Sequence, residues 1–341
     1  QQVYGRIMED LDEAITLLTG ASARADKAEI SVEVAYGLRA RANLLMGKWA
    51  AAASDAAKAY GTSAPYSVAD VSQPTFYNAT DNAWIWGIVV TTEDYLAKTG
   101  IVNWPSNLCS LTGMGYTTAA SATDVAYRLI NKNLWAKIPE TDVRKGWWVD
   151  EDLHSPVLDN GLGEDYAYYW ANGMFNGGTF PSKFSPYTNV KFGPDNGTFA
   201  DTDNAQDWPL MRVEEMKLIE AEALGRDNLA TGKQKLEEFV RQYRDPSYTC
   251  TAGSLDAFID EVWFQRRVEL WGEGFALFDI LRLKKPIIRQ GANYPINSTF
   301  AEIAAEAPIM IYRIPEAETS VNSAITEADN NPAAMAPTPV N

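Results

Sequence analysis

The chain has 341 residues, of which 46% are hydrophobic and 22% are charged, and its formal net charge is −16. These proportions are typical of a globular protein, and the acidic balance argues against binding to nucleic acid or to anionic lipid headgroups. His154 is the single histidine, so a catalytic triad or a histidine zinc site would have to use it. No stretch is long and apolar enough to span a bilayer. Cys109 and Cys250 are the only cysteines, so one disulfide is possible, but the sequence does not show whether the two pair.

Three helices are predicted at the start of the chain. Residues 3–18 carry apolar side chains at helical spacing, with acidic residues on the other face. A second helix follows, with Ser31 as its predicted N-cap and Gly47 as its stop. The third runs from Trp49 to Tyr60 and has alanines along one face, which lets a neighbouring helix approach closely. Together, the second and third helices resemble a tetratricopeptide repeat.

Residues 61–207 are predicted to be rich in loops. Within them, residues 83–90 form an apolar, strand-like run, and we assign its Trp84 and Trp86 to the core. Long loops inside a folded protein are usually functional when they are ordered, and the high aromatic content argues against disorder. This region is therefore where we expect a ligand surface.

Helix pairs return at residues 212–243 and 255–283. In the last pair, charged residues are interleaved with bulky apolar ones around a bend at Gly272 and Gly274. A buried charge needs a partner, so we predict a structural network of ion pairs there; a catalytic carboxylate set is the lesser alternative. The predicted network consists of Arg266, Arg267, Glu269, Glu273, Asp279 and Arg282.

Sequence motifs for nucleotide binding, zinc proteases and serine hydrolases are missing. Asp150 and Asp152 offer carboxylates for glycoside hydrolysis, but adjacent acids in a loop do not establish a pair facing a scissile bond, and a solvated acidic loop is favoured. Asp201, Asp203 and Asp207 are spaced loosely like calcium ligands, without the glycine and closing glutamate of an EF-hand. We expect no cofactor, and we keep a structural calcium ion as an open alternative.

Several segments occur in the order found in the SusD/RagB family of nutrient-binding lipoproteins from Bacteroidetes. The most diagnostic is residues 265–282, in which Gln265 and Ala276 stand where the family commonly has glutamate and arginine. The N-terminal helices show the same resemblance. Further segments that resemble the family are residues 140–145, Lys191-Phe192, 207–223, 311–318 and Asn331-Pro332. The chain is similar to the C-terminal two-thirds of such a protein, without its N-terminal portion.

The resemblance implies a mostly α-helical fold in one domain over residues 1–341. Tetratricopeptide-like helix pairs at 1–60 and 208–285 would form the scaffold. The loop-rich region 61–207 would pack against it, carry a few short strands and bind the ligand. Residues 286–341 would form an irregular C-terminal segment.

The resemblance also implies a non-catalytic role at the cell surface. Family members bind oligosaccharides, or oligopeptides in some cases, and deliver them to a SusC-like TonB-dependent transporter in the outer membrane. The full-length protein would be held there by a lipid anchor. Two alternatives stay open: a helical-repeat scaffold that binds a protein partner and no small ligand, and a glycoside hydrolase.

Aromatic side chains are the predicted ligand contacts, because their faces stack on the apolar surfaces of sugar rings. The alternation of Tyr166 and Tyr168 predicts that these two share a face and that Tyr169 lies on the other. The candidate residues are Trp147, Trp148, Tyr166, Tyr168, Tyr169 and Trp170.

Overall fold

The computed structural model describes residues 2–95, 97, 107–112, 128–174, 183–201, 203–294 and 302–333. The chain divides into two compact units, one formed by Gln1–Ile130 with Leu134–Glu273 and the other by Asn131–Asn133 with Gly274–Asn341. The described residues are mostly helical with a few short strands, which confirms the predicted fold class. The single-domain organisation stays a prediction.

Of the α-helices before residue 273, those at the start of the chain and those after residue 212 were predicted, and the bounds of the third agree at both ends. The four short helices between residues 68 and 171 were not predicted. Ser31 occupies the predicted N-cap with an extended backbone, but its hydroxyl makes no capping hydrogen bond. In chain order these helices are α1 (Gln2–Leu18), α2 (Val32–Leu45), α3 (Trp49–Tyr60), α4 (Val68–Val71), α5 (Lys132–Trp135), α6 (Pro156–Leu162), α7 (Glu164–Ala171), α8 (Val213–Asp227), α9 (Leu229–Tyr243) and α10 (Leu255–Glu269).

The scaffold of the larger unit is a layer of helices α2, α3 and α8, packed through the alanine face of α3. Ala52 and Ala56 are completely buried there, as small residues at a close helix contact should be. Ion pairs tie the layer together at its edges. Arg39 of α2 lies 2.7 Å from Asp55 of α3.

A close crossing joins α8 to α9. Gly225 of α8 and Gly232 of α9 meet backbone to backbone, so that a Cβ added at Gly232 would lie 2.6 Å from the amide nitrogen of Gly225. Glycine is required at this crossing because even a methyl group has no room.

Two short paired strands connect the loop-rich region to the scaffold. The strands β1 (Trp84–Ile88) and β2 (Trp208–Arg212) pair antiparallel with an irregular register, and β2 leads directly into α8. The predicted strand at residues 83–90 is thereby confirmed. Trp84 is buried as expected, whereas Trp86 is only partly buried.

The loop-rich region has an aromatic core of its own. Phe76 contacts the indole of Trp147 edge-on, with ring centroids 5.5 Å apart, and Trp148 contacts Trp271 in the same way at 5.7 Å. Phe76, Trp147 and Trp148 are buried, together with Phe192, and Trp271 is partly buried against them. The loops are therefore held by packed aromatic side chains, although they contain little regular secondary structure.

The described part of the smaller unit contains two short α-helices, two short strands and irregular segments. In the first of these helices, Asp279 and Arg282 form an ion pair of 2.7 Å one turn apart. The elements of this unit are α11 (Ala276–Arg282), the antiparallel strands β3 (Ile287–Ile288) and β4 (Glu302–Ile303), and α12 (Glu316–Thr319).

Both cysteines are buried, and no disulfide joins them. Gly272 and Gly274 both have positive φ angles, +82° and +88°, as expected for the predicted bend. Among the described residues, no helix combines the length and the apolar character that crossing a membrane requires.

Candidate functional site

Glu269, the last residue of α10, lies at the centre of a buried network of ion pairs. Arg244 contacts both of its carboxylate oxygens at 2.8 Å. Arg144 and Arg212 approach the same carboxylate at 3.3 Å and 3.4 Å, and all four side chains are fully buried. Burial opposes the ionisation of Glu269, but these three guanidinium groups outweigh it and hold its pKa well below the ordinary value.

Glu273 extends the network to Lys191. The ammonium of Lys191 donates to the Glu273 carboxylate at 2.7 Å and to the backbone carbonyls of Glu269 and Trp271 at 2.9 Å each. It also lies 5.0 Å from the centre of the Trp147 ring. Burial lowers the pKa of Lys191 to about 8, against the opposing effect of Glu273. The ammonium thus uses all its donors to hold the chain that follows α10.

Two further carboxylates complete the network. Glu214 lies 2.8 Å from Arg212 and 3.1 Å from Arg244, and Asp142 lies 2.6 Å from Arg144. Four basic and four acidic side chains therefore meet in the interior of the larger unit. Because all are fully or nearly fully buried and engaged with one another, the cluster joins chain segments and offers no carboxylate to a substrate.

The structure places the six predicted network residues in different surroundings. Glu269 and Glu273 lie in the cluster, but the basic partners that contact them come from distant segments that the sequence analysis did not assign to it. Arg266 is buried, and Arg267 lies over the ring of Trp263 at 4.7 Å. Asp279 and Arg282 pair with each other in the smaller unit.

Three of the predicted ligand contacts are exposed on α7. Tyr166, Tyr168 and Tyr169 are 57%, 59% and 47% exposed, respectively, and the rings of Tyr168 and Tyr169 contact edge-on with centroids 5.9 Å apart. Trp170 points the other way, is buried, and donates from its indole nitrogen to the Ser110 carbonyl at 3.3 Å. The helix thus presents tyrosines to solvent and is anchored by tryptophan.

Half of the predicted ligand contacts are buried. Trp147, Trp148 and Trp170 are at most 2% exposed and form part of the core, so they offer no face to a ligand in this structure. The predicted alternation was also wrong, because the segment is a helix and not a strand. Residues at helical spacing turn inward, and the tyrosine rings that meet are those of Tyr168 and Tyr169.

The acidic residues near Trp148 stabilise a turn. One oxygen of Asp150 accepts the backbone amides of Asp152 and His154, both at 2.9 Å, and Glu151 accepts the hydroxyl of Tyr187 at 2.7 Å. These hydrogen bonds stabilise a turn. The carboxylates that accept them do not form a pair that faces across a cleft.

The loosely spaced aspartates also have structural partners. The two oxygens of Asp207 accept the amides of Ala79 and Val90 at 2.8 Å each, and Asp201 accepts the amide of Asp203 at 3.0 Å. Within the described ranges, no group of three or more His, Cys, Asp and Glu side chains is arranged to hold a metal ion.

Solved structures with a similar fold come from Bacteroides. A SusD-like carbohydrate-binding protein of Bacteroides vulgatus ATCC 8482 has a TM-score of 0.69 and 22% identity, over 97% of this chain and 66% of that one. A SusD superfamily protein of Bacteroides thetaiotaomicron VPI-5482 has a TM-score of 0.67 and 20% identity, with the same coverage. This chain therefore spans slightly less than two-thirds of those proteins.

Surface glycan-binding protein A of Bacteroides thetaiotaomicron, solved in complex with laminarihexaose, has a TM-score of 0.61 and 15% identity, over 94% of this chain and 69% of that one. At such identities the likeness concerns the fold alone. No match was found among curated proteins. The family model described as the SusD family matches residues 131–332, which is more than half of the chain. The chain therefore belongs to the SusD family.

Proposed function

We propose that this protein binds an oligosaccharide without cleaving it, through a surface that includes Tyr166, Tyr168 and Tyr169. The observation that carries the proposal is the exposure of three large aromatic rings within four residues of one helix. Single exposed aromatics are ordinary, but a contiguous group is typical of a binding surface. Tyrosine suits a sugar because its ring packs on C–H faces while its hydroxyl bonds to the sugar hydroxyls.

The helix that carries these tyrosines is firmly held. Ala167, Trp170 and Ala171 are buried on its inner side, and the indole of Trp170 is hydrogen-bonded to the backbone at Ser110. Rings on a fixed helix lose little conformational freedom when a ligand binds, which favours affinity. The buried cluster around Glu269 supports the larger unit in which the helix lies and takes no direct part in binding.

Laminarihexaose is the first ligand to test, because a protein of similar fold has been solved with it bound. The wider role in this proposal is that of the family: the full-length protein, anchored by lipid on the outer face of the outer membrane, passes its ligand to a SusC-like TonB-dependent transporter. Membership of the SusD family supports this role.

Isothermal titration calorimetry with a panel of hexasaccharides and hexapeptides tests the ligand class. We expect saturable heat with at least one glycan, and intact glycan by chromatography after prolonged incubation. Binding of peptides alone would show that the ligand is an oligopeptide and not an oligosaccharide. Cleavage that is lost in Asp150→Asn would overturn the non-catalytic role, and no binding to either class would overturn the proposal.

The delivery role has a separate test. The full-length protein is purified from outer-membrane fractions after mild solubilisation, and co-purification of a TonB-dependent transporter is the expected result. If no transporter accompanies the protein, the delivery role is contradicted, while the glycan-binding result stands independently.

A further inference from the structure

The exposed tyrosines of α7 share their helix with two acidic residues. Glu164 and Asp165 form the first turn of α7, and both side chains are exposed. On a helix, residues three or four apart are surface neighbours with Cβ atoms about 5–6 Å apart, so Asp165 adjoins Tyr168 and Tyr169. Glu164 adjoins Tyr168 in the same way. A sugar ring that packs on these tyrosines therefore lies within reach of both carboxylates.

Neither carboxylate has a partner among the described residues. Glu164 and Asp165 form no ion pair and accept no side-chain hydrogen bond there. Their two negative charges exceed the partial positive charge of the helix N-terminus, which is about half an elementary charge. This end of α7 is therefore negative, and its carboxylate oxygens are open to an incoming ligand.

The chain around α7 adds to the negative charge. Residues 146–174 contain no lysine or arginine, and their acidic residues are Asp150, Glu151, Asp152, Asp159, Glu164 and Asp165. His154 can become positive, but a carboxylate oxygen of Asp159 lies 2.7 Å from its Nε2 and offsets that charge. Helix α6, which carries Asp159, packs against α7.

A basic residue lies beyond the other end of the helix. Lys183 precedes Phe184, whose amide donates to the carbonyl of Ala171 at 2.8 Å. Ala171 is the last residue of α7, about 10 Å along the helix axis from Glu164. The Debye length at physiological salt is about 8 Å, so Lys183 does not cancel the charge of the acidic end.

We propose that Glu164 and Asp165 make the tyrosine surface of α7 selective for uncharged glycans over glycans that carry carboxylates or sulfates. This inference rests on the proposed function and specifies its substrate class. The two carboxylates accept hydrogen bonds from sugar hydroxyls, which a neutral glycan supplies in abundance. A uronate or a sulfate on the same rings meets two like charges at close range, which weakens its binding.

A matched pair of glycans tests the selectivity. Laminarihexaose, or the tightest neutral glycan in the panel, is compared with its C6-oxidised form, in which primary hydroxyl groups have become carboxylates and the linkages are unchanged. Calorimetry in about 20 mM and about 500 mM NaCl gives the affinity for each glycan with and without screening. In low salt we expect the oxidised glycan to bind at least about tenfold more weakly, and in high salt we expect the ratio to shrink because added ions screen the repulsion.

A double variant assigns the selectivity to the two residues. Glu164→Gln with Asp165→Asn removes both charges but keeps an acceptor oxygen at each position. We expect it to bind the neutral glycan a few-fold more weakly, because an amide accepts a weaker hydrogen bond than a carboxylate. We expect it to bind the oxidised glycan more tightly than the unmodified protein does, so that the ratio falls to about threefold or less.

The matched control is Glu316→Gln with Glu318→Gln, which removes two charges from the first turn of α12 and should discriminate like the unmodified protein. An oxidised glycan that binds as tightly as the neutral one in low salt would overturn the selectivity while the glycan-binding function stands. Equal ratios in the double variant and the control would overturn the assignment to Glu164 and Asp165. If no glycan binds at all, the proposed function is overturned and the selectivity with it.

Discussion

Arg244 and Glu269 form a two-point ion pair in which Nε lies 2.8 Å from Oε2 and Nη2 lies 2.8 Å from Oε1, with both side chains fully buried. Arg244 follows the last residue of α9 and Glu269 is the last residue of α10, so the pair joins the ends of two helices. The same guanidinium donates to the carbonyl of Tyr66, ahead of α4, at 2.9 Å. One buried arginine therefore connects the helical scaffold to the loop-rich region.

The first prediction is that Glu269→Ala lowers the free energy of unfolding by about 3–5 kcal/mol, because it leaves buried guanidinium groups without their carboxylate. Urea denaturation measures the change, and Arg6→Ala, in an exposed pair on α1, is the control, expected to cost less than about 1 kcal/mol. Glycan affinity per folded molecule should not change. A stable variant that no longer binds glycan would contradict the structural role.

The second prediction concerns the stability of the protein at low pH. Ion pairs hold the pKa values of Glu269 and Glu273 below 4.5, so the unfolded chain binds more protons below that pH and stability falls as pH falls. Glu214, whose pKa is raised by burial, contributes with the opposite sign. Glu273→Gln removes one titrating group and should flatten the decline between pH 5 and pH 3, by up to about 1.4 kcal/mol per pH unit. Parallel stability curves for the two proteins would show that Glu273 is not ionised in the way described.

The third prediction tests the crossing of α8 and α9. Gly232→Ala would push a methyl group against the backbone of Gly225, which cannot turn aside as a side chain can, so we expect a loss of about 1–3 kcal/mol or more. Gly253→Ala is the matched control, because nothing lies within 4 Å of its added Cβ. Equal stability of the two variants in urea would mean that the helices cross less closely than described.

Much of the scaffold follows from the sequence, because helix periodicity and glycine stops are local signals. The bounds of α3 agree with the prediction, and the strand at Trp84 was recognised from its apolar run. The partners of Glu269 were not recognised. Arg144, Arg212 and Arg244 lie far from it along the chain, and no periodicity links them. Arg144 and Arg212 do fall in segments that resemble the family, which was the available signal.

The candidate binding surface was predicted only in part for a similar reason. Trp147 and Trp170 look like ligand contacts by residue type, but burial depends on the three-dimensional packing of loops with irregular backbone. The helical nature of α7 was indicated by the acidic Glu164 and Asp165 in its first turn, after Gly163. Taken as a helix, the segment turns Ala167 and Trp170 inward and leaves the tyrosines outside.

The tyrosines of α7 are the proposed glycan contacts. Calorimetric titration of laminarihexaose, or of the tightest glycan in the panel, into Tyr168→Ala and Tyr169→Ala tests this proposal most directly. Tyr312→Ala, which removes an exposed ring in the smaller unit, serves as the control. We expect each α7 variant to unfold like the unmodified protein and to bind the glycan about tenfold more weakly, a loss of about 1.4 kcal/mol, while the control binds normally. Unchanged affinity in both α7 variants would contradict the proposal.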